Sequence, residues 1–169
     1  MNYPKLSATR VQKLLKAATR ARVLVIGDVM LDQFIWGNVG RISPEAPVPV
    51  VEFERESFMP GGAANAARNL TALNVKTELF GAVGHDDAAR RLRELLTEQR
   101  IGCAGLVPHA ERPTSLKTRI VAHKQQVVRI DREICDNLDD RLMGRLFDVF
   151  KAELKRAMTE PGDLHIQEL

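Results

Sequence analysis

Apolar residues follow two different periods along this chain, and the switch between them predicts the order of helices and strands. Residues 6–20 have apolar positions every three to four residues between Arg and Lys, which indicates an amphipathic helix. Residues 22–28 then form a run rich in Val, Leu and Ile, typical of a strand buried on both faces of a parallel sheet. Helical patterns separate it from short predicted strands at 76–80 and 101–107. This order favours a doubly wound, mostly parallel α/β sheet.

Two segments depart from this alternation and predict a small β lid outside the main sheet. Residues 37–58 contain three prolines, and proline cannot donate to a sheet ladder, so we expect an edge or lid strand here; a long surface loop is the alternative. Residues 114–131 alternate polar and apolar side chains around a turn, as a hairpin does. The same alternation places Lys117 and Arg119 on one face, with no evident acidic partner nearby. Two such cations suit a phosphate, while solvated edge-strand cations remain the alternative.

The last clear element is an amphipathic helix over residues 139–157. Its expected buried side consists of the large apolar residues Leu142, Met143, Leu146, Phe147, Phe150 and Leu154. After it, residues 158–169 are polar, are broken by Pro161-Gly162, and show no pattern long enough to predict another strand. We therefore expect residues 1–157 to be part of one domain and residues 158–169 to be an aberrant or truncated tail.

A glycine turn into a helix is the strongest candidate for a binding site. Gly61-Gly62 is followed by an alanine-rich helical stretch that contains Asn65 in its first turn. Adjacent glycines let the backbone come within contact distance of a ligand, and an amide side chain there offers both donors and an acceptor. These groups suit a polyhydroxylated ligand. An ordinary turn into a surface helix is the competing interpretation.

Acidic residues at predicted strand ends are further candidates. Asp28 and Asp32 follow the first strand, where ligands of open α/β sheets bind, although Asp28 could equally cap a turn. Asp86 or Asp87 is expected to cap the next helix. His85, just before them, is interpreted as a turn residue and not as a catalyst.

Composition narrows the class of partner. The formal net charge is +3, no Lys/Arg block occurs, and aromatic residues make up 5% of the chain, so nucleic acid is not an expected partner. No apolar run is long enough for a signal peptide core or a membrane span, which predicts a cytoplasmic protein without membrane association. Cys103 and Cys135 lack metal-ligand spacing and are expected to be reduced.

Several of these motifs, in this order, resemble the ribokinase-type (pfkB) carbohydrate kinase family. The resemblance covers about residues 20–157 and is carried by Gly27-Asp28 with Asp32, the Gly61–Asn65 turn, Gly81-Ala82-Val83-Gly84-His85-Asp86 and the Lys117/Arg119 hairpin. The phrase Arg41-Ile42-Ser43-Pro44-Glu45-Ala46-Pro47-Val48-Pro49-Val50 resembles the branch that phosphorylates the anomeric hydroxyl of heptose 7-phosphate for lipopolysaccharide core synthesis.

The resemblance implies a ribokinase-like fold with a β lid, a dimer formed through the lids, and ATP with Mg²⁺ as co-substrates. It assigns Asp32, Gly61, Gly62 and Asn65 to the sugar, and charge and alternation assign Lys117 and Arg119 to the phosphate of the sugar. The family's later glycine-rich Asp-Thr-x-Gly-Ala-Gly-Asp motif, with its anion hole and general base, is not found in this sequence. We therefore expect the sugar-binding half of a kinase that is inactive alone. A non-catalytic sugar-binding or dimerising fragment, or a kinase of another sugar, are the alternatives.

Overall fold

The computed structural model describes residues 6–159 and 163–168, and these contain four helices and eight strands. The elements in chain order are α1 (Ala8–Ala18), β1 (Ala21–Ile26), β2 (Val29–Ile42), β3 (Pro49–Gly62), α2 (Ala63–Ala72), β4 (Lys76–Gly84), α3 (Asp87–Glu98), β5 (Gly102–His109), β6 (Ser115–Ala122), β7 (Gln125–Arg132), α4 (Asp140–Thr159) and β8 (Asp163–Glu168). The expected α/β order is confirmed.

The main sheet is parallel and has the order β5-β4-β1-β8. Alternate residues of β1 enter two separate cores: Val23 and Val25 pack with α2 and α3, whereas Leu24 packs with α4. Helices therefore cover both faces of this sheet, which is the doubly wound arrangement that the sequence predicts. Each large side chain buried here, such as Leu92 and Leu96 with no exposed surface, contributes roughly 1.5–3 kcal/mol.

A second sheet, the lid sheet, has the order β3-β2-β6-β7. The hairpins β2–β3 and β6–β7 are antiparallel, and β2 joins them by pairing in parallel with β6. The two predicted lid segments thus lie side by side, and the proline-containing strand β3 occupies an edge, as expected. The lid is larger than the predicted ranges 37–58 and 114–131, because β2 begins at Val29 and β3 continues to Gly62.

The prediction that no strand follows the last helix is wrong. Residues 163–168 form β8, a fourth strand of the main sheet paired in parallel with β1. Its backbone hydrogen bonds to a central strand compensate for a weak sequence pattern. The predicted break at Pro161-Gly162 lies outside the described residues.

The predicted buried side of the last helix is only partly right. Leu142 and Leu146 are buried, and Phe150 and Leu154 pack partly against the same core. Met143 and Phe147 are 38% and 48% exposed, so their expected burial was wrong. The helix instead turns Glu153 and Ala157 inward. Helix α1 forms as predicted, but none of its residues is buried.

Candidate functional site

The candidate site lies where the carboxyl end of β1 passes into the lid sheet. β1 ends at Ile26, Asp28 follows as an exposed residue, and β2 starts at Val29. The backbone carbonyl of Asp28 accepts a hydrogen bond from the N–H of Ala63, the first residue of α2, at 2.9 Å. The glycine turn and the acidic residues that the sequence singles out are therefore brought together.

Gly62 forms the turn between β3 and α2 with a backbone φ of 56°, a conformation that favours glycine. A Cβ there would lie 2.4 Å from the carbonyl oxygen of Asp28, so no larger residue fits without moving the backbone. Among the described residues no side chain caps the start of α2. The first turn, with exposed Asn65, thus presents uncapped N–H groups beside the end of β1.

Asp32 and Gly61 form the second part of the site. They lie on neighbouring strands of the lid sheet, and a Cβ on Gly61 would lie 2.6 Å from Oδ2 of Asp32. Glycine at this position therefore gives the carboxylate its space. The other oxygen, Oδ1, accepts a hydrogen bond from the guanidinium of Arg119 on β6. One carboxylate oxygen is thus fixed by a cation, while the other lies against bare backbone.

Lys117 and Arg119 do lie on one face, but both have acidic partners, contrary to the expectation from sequence. Nζ of Lys117 donates to Glu133 at 2.7 Å and to Asp131 at 3.3 Å. The hydrogen bond with Glu133 raises the pKa of Lys117, outweighing the smaller opposing effect of burial. Strand register explains the missed partners, because β7 brings Asp131 opposite Lys117 and β2 brings Asp32 there from the other side.

Aromatic residues on the same face of the lid sheet were not singled out from the sequence. The rings of Phe34 and Trp36 stack with their centroids 6.1 Å apart. Arg119 lies 5.3 Å from the centroid of Phe34, and Arg55 lies 4.4 Å from that of Trp36. The alternation of Asp32, Phe34 and Trp36 at period two is the signal that could have placed these side chains together.

Asp86 caps α3, as one of the two predicted alternatives, and its carboxylate also contacts the lid. Its side chain accepts hydrogen bonds from the backbone N–H of Ala89 and, across 28 residues of sequence, from the N–H and hydroxyl of Thr114. Burial opposes ionisation, yet these hydrogen bonds together hold the pKa of Asp86 below its ordinary value. Neighbouring His85 is exposed in the turn.

Within the described residues, no group of three or more His, Cys, Asp or Glu side chains could hold a metal ion. None of the described helices has the length and apolar character needed to cross a lipid bilayer. Cys103 and Cys135 are free thiols, the first half-buried and the second exposed.

Known proteins resemble this chain in sequence. Residues 20–155 match the model of the pfkB family carbohydrate kinases. The chain is 48% identical over 143 residues to a protein of Hyphomonas neptunium named Bifunctional protein HldE, covering 82% of this chain and 29% of that protein. A protein of the same name from Helicobacter pylori strain P12 is 43% identical over 134 residues, covering 79% and 29%. The chain thus spans less than a third of the length of these curated relatives.

Solved structures share the fold over part of their length. A carbohydrate kinase from Agrobacterium tumefaciens has a TM-score of 0.53 at 21% identity, covering 66% of this chain and 35% of that one. A ribokinase from Cryptococcus neoformans, solved in complex with ADP, has a TM-score of 0.50 at 21% identity, covering 70% and 38%. The fold is therefore ribokinase-like, and the chain belongs to the pfkB family of carbohydrate kinases.

Proposed function

We propose that this chain is the sugar-binding half of a kinase that uses ATP to phosphorylate the anomeric hydroxyl of heptose 7-phosphate. Family membership and the similarity to proteins named Bifunctional protein HldE support this proposal. The observation that carries it is the placement of Asp32 against Gly61, next to the uncapped first turn of α2. A carboxylate, bare backbone and an amide side chain together suit neighbouring hydroxyl groups.

In this proposal the free oxygen of Asp32 accepts a hydrogen bond from a sugar hydroxyl, and Arg119 keeps the carboxylate in place. Gly61 and Gly62 allow the sugar to approach the backbone, and Asn65 contributes donor and acceptor groups from the first turn of α2. The hydroxyls replace water around a carboxylate that is mostly buried, so each contact is worth roughly 1–3 kcal/mol.

The existing phosphate of the sugar is assigned to Lys117 and Arg119. Their carboxylate partners make this a competition: a phosphate would take hydrogen bonds of Lys117 that Glu133 and Asp131 now accept. Lys117 and its two carboxylate partners are partly buried, so only a strongly charged anion with several acceptor oxygens would replace these carboxylates. A phosphate ester is such an anion.

ATP and Mg²⁺ are part of the proposal because the chain belongs to a family of carbohydrate kinases. No cluster of metal-ligating side chains occurs among residues 6–159, and the sequence contains no Asp-Thr-x-Gly-Ala-Gly-Asp motif. Positioning and charge stabilisation of the transferred phosphoryl group dominate this chemistry. We therefore propose that the chain binds sugar phosphate without transferring a phosphoryl group, and that it acts in the cytoplasm, where ATP and sugar phosphates meet.

A homodimer through the lid sheets is part of the same proposal. The face of the lid sheet opposite Asp32 carries the branched side chains Ile35, Ile120, Val128 and Ile130 in adjacent register positions. Val128 and Ile130 are 44% and 54% exposed. A second lid would remove this apolar surface from water.

A dimerising fragment that binds no sugar phosphate is the second candidate, and the exposed side chains of Val128 and Ile130 favour it. Calorimetry separates the two ideas. The purified chain should bind heptose 7-phosphate, and Asp32→Ala and Asn65→Ala should each weaken binding by about ten- to a hundredfold. Asn69→Ala, at an exposed position one turn further along α2, is the matched control and should bind like the wild type.

Three outcomes would contradict this scheme. A wild-type chain that binds no heptose 7-phosphate would overturn the proposed function. Tighter binding of another sugar phosphate from the same panel would identify a different kinase of the family. Equal losses in Asn65→Ala and Asn69→Ala would show that α2 is merely destabilised.

A further inference from the structure

Three segments meet at one half-buried carboxylate where the main sheet passes into the lid. Oδ1 of Asp86 accepts from the N–H of Ala89 at 2.9 Å and from the hydroxyl of Thr114 at 2.7 Å. Oδ2 accepts from the N–H of Thr114 at 2.9 Å. Arg132, the last residue of β7, approaches the same oxygen at 4.0 Å. One side chain thus contacts the start of α3, the residue before β6 and the end of β7.

Thr114 is enclosed on all sides in this cluster. It has no exposed surface, and its hydroxyl also accepts a hydrogen bond from the N–H of Gly84 at 2.9 Å. A Cβ on Gly84 would lie 2.7 Å from both the nitrogen of Thr114 and the carbonyl oxygen of Arg112. Glycine at the end of β4 therefore allows the segment leading into β6 to pass directly over the main sheet.

This enclosure matters because Thr114 lies directly before the strand that carries the candidate phosphate contacts. Lys117 is three residues further on, about 10 Å along an extended strand, and Arg119 follows it on the same face. Both side chains meet carboxylates of other strands, so a shift or twist of β6 would change the geometry of the Arg119–Asp32 pair. The start of β6 has to be fixed for that pair to form consistently.

We propose that Asp86 is a positioning residue, which acts through Thr114 to fix β6 and thereby the cations that face Asp32. This inference rests on the proposed function for its link to sugar phosphate, but its structural part does not. The helix cap alone requires only the contact with Ala89. The two further hydrogen bonds to Thr114 give the carboxylate its second role.

Thr114→Val removes the hydroxyl, and with it the contacts to both Asp86 and Gly84, but leaves Asp86 able to cap α3. Hydrogen exchange of the ligand-free chain should become about tenfold faster or more at the amides of residues 115–119, while α3 changes less than about twofold. Thr114→Ser retains the hydroxyl and should exchange like the wild type. Asp86→Asn keeps an oxygen to cap α3 but loses one acceptor for Thr114, so it should also speed exchange at residues 115–119. Asp87→Asn is its matched control, since Asp87 is exposed and pairs only with Arg90 among the described residues.

Binding gives the second measurement. Thr114→Val should raise the dissociation constant for heptose 7-phosphate by about tenfold, and Thr114→Ser should restore it. Unchanged exchange in β6, or an equal increase in every element, would overturn the positioning role. The wild-type chain could instead fail to bind the sugar phosphate while hydrogen exchange in β6 still depends on Thr114. That result would contradict the proposed function but would support the positioning of β6.

Discussion

Gly61→Ala is the sharpest test of the candidate site, because one methyl group there meets the side chain to which the sugar is assigned. The added Cβ would lie 2.6 Å from Oδ2 of Asp32 and 2.8 Å from Cγ of Met30. Real Cβ atoms do not approach other atoms this closely, so Asp32 or Met30 has to move. Gly61 is not among the residues with positive φ, so the backbone accepts alanine and the effect comes from the contact alone.

The magnitude follows from what Asp32 loses. Its carboxylate is held between Arg119 and Gly61. Rotation away from the new methyl group would remove the proposed hydrogen bond to a sugar hydroxyl. A hydrogen bond to a charged group contributes about 1.5–3 kcal/mol, which corresponds to roughly a ten- to 150-fold loss of affinity. Overpacking by one methyl group costs the fold about 1–3 kcal/mol, so the protein should remain folded at 25 °C.

The assay is calorimetric titration with heptose 7-phosphate, with thermal denaturation of the same samples to record stability. Gly40→Ala is the matched control, because it adds the same methyl group to β2 where the nearest atom lies 4.0 Å away. Affinity of Gly61→Ala within about twofold of the wild type would refute the reasoning, as would an equal loss in Gly40→Ala.

Four further outcomes are expected. Purified chain incubated with ATP, Mg²⁺ and heptose 7-phosphate should show no phosphoryl transfer in a coupled assay. Steady turnover would contradict the proposal that the chain binds sugar phosphate without transferring a phosphoryl group. Lys117→Met should weaken the binding of heptose 7-phosphate about ten- to a hundredfold but leave the binding of unphosphorylated heptose unchanged, as calorimetry with both sugars would show. Glu133→Gln should tighten the binding of heptose 7-phosphate, because it removes a carboxylate that competes for Lys117. Gly144→Ala should raise the free energy of unfolding by about 0.5–1 kcal/mol in urea titrations, because nothing lies within 4 Å of the added Cβ in helix α4. Burial raises the pKa of Glu78 from 4.5, although the hydrogen bond from the N–H of Ala104 opposes the shift. The stabilising contribution of Glu78 is therefore present below pH 4.5 and is lost as pH rises through its folded-state pKa. Glu78→Gln should raise the melting temperature at pH 7 and change it little at pH 4.

Local patterns were sufficient to predict the main parallel sheet and the helices that cover it. The apolar run of β1, the stripe of Ala88, Leu92 and Leu96 on α3, and the cap by Asp86 each depend on neighbours within a turn or two of the chain. Such features are fixed by spacing and by the unsatisfied groups at helix ends. The glycine turn was found for the same reason, because adjacent glycines have a local conformational meaning.

The electrostatics of the lid could not be predicted in this way. Whether Lys117 and Arg119 are free or paired depends on which residues β2 and β7 place beside β6, and a register shift in the β6–β7 pair alters that placement. Burial on α4 also depends on what the helix packs against, so Phe147 is exposed although it shares an apolar stripe with Leu146. Tertiary contacts decided these cases, and a single sequence does not display them.

The parallel pairing of β2 with β6 also constrains the order in which the chain folds. Gln33 and Thr118 hydrogen bond across this pair although they are 85 residues apart. The two hairpins of the lid close locally, but pairing β2 with β6 requires the two intervening strands and two helices to be in place. Contacts of such large sequence separation form slowly. During synthesis the β2 edge therefore stays unpaired until β6 leaves the ribosome. We expect this edge to be the segment that chaperones protect and the place where misassembly between nascent chains begins.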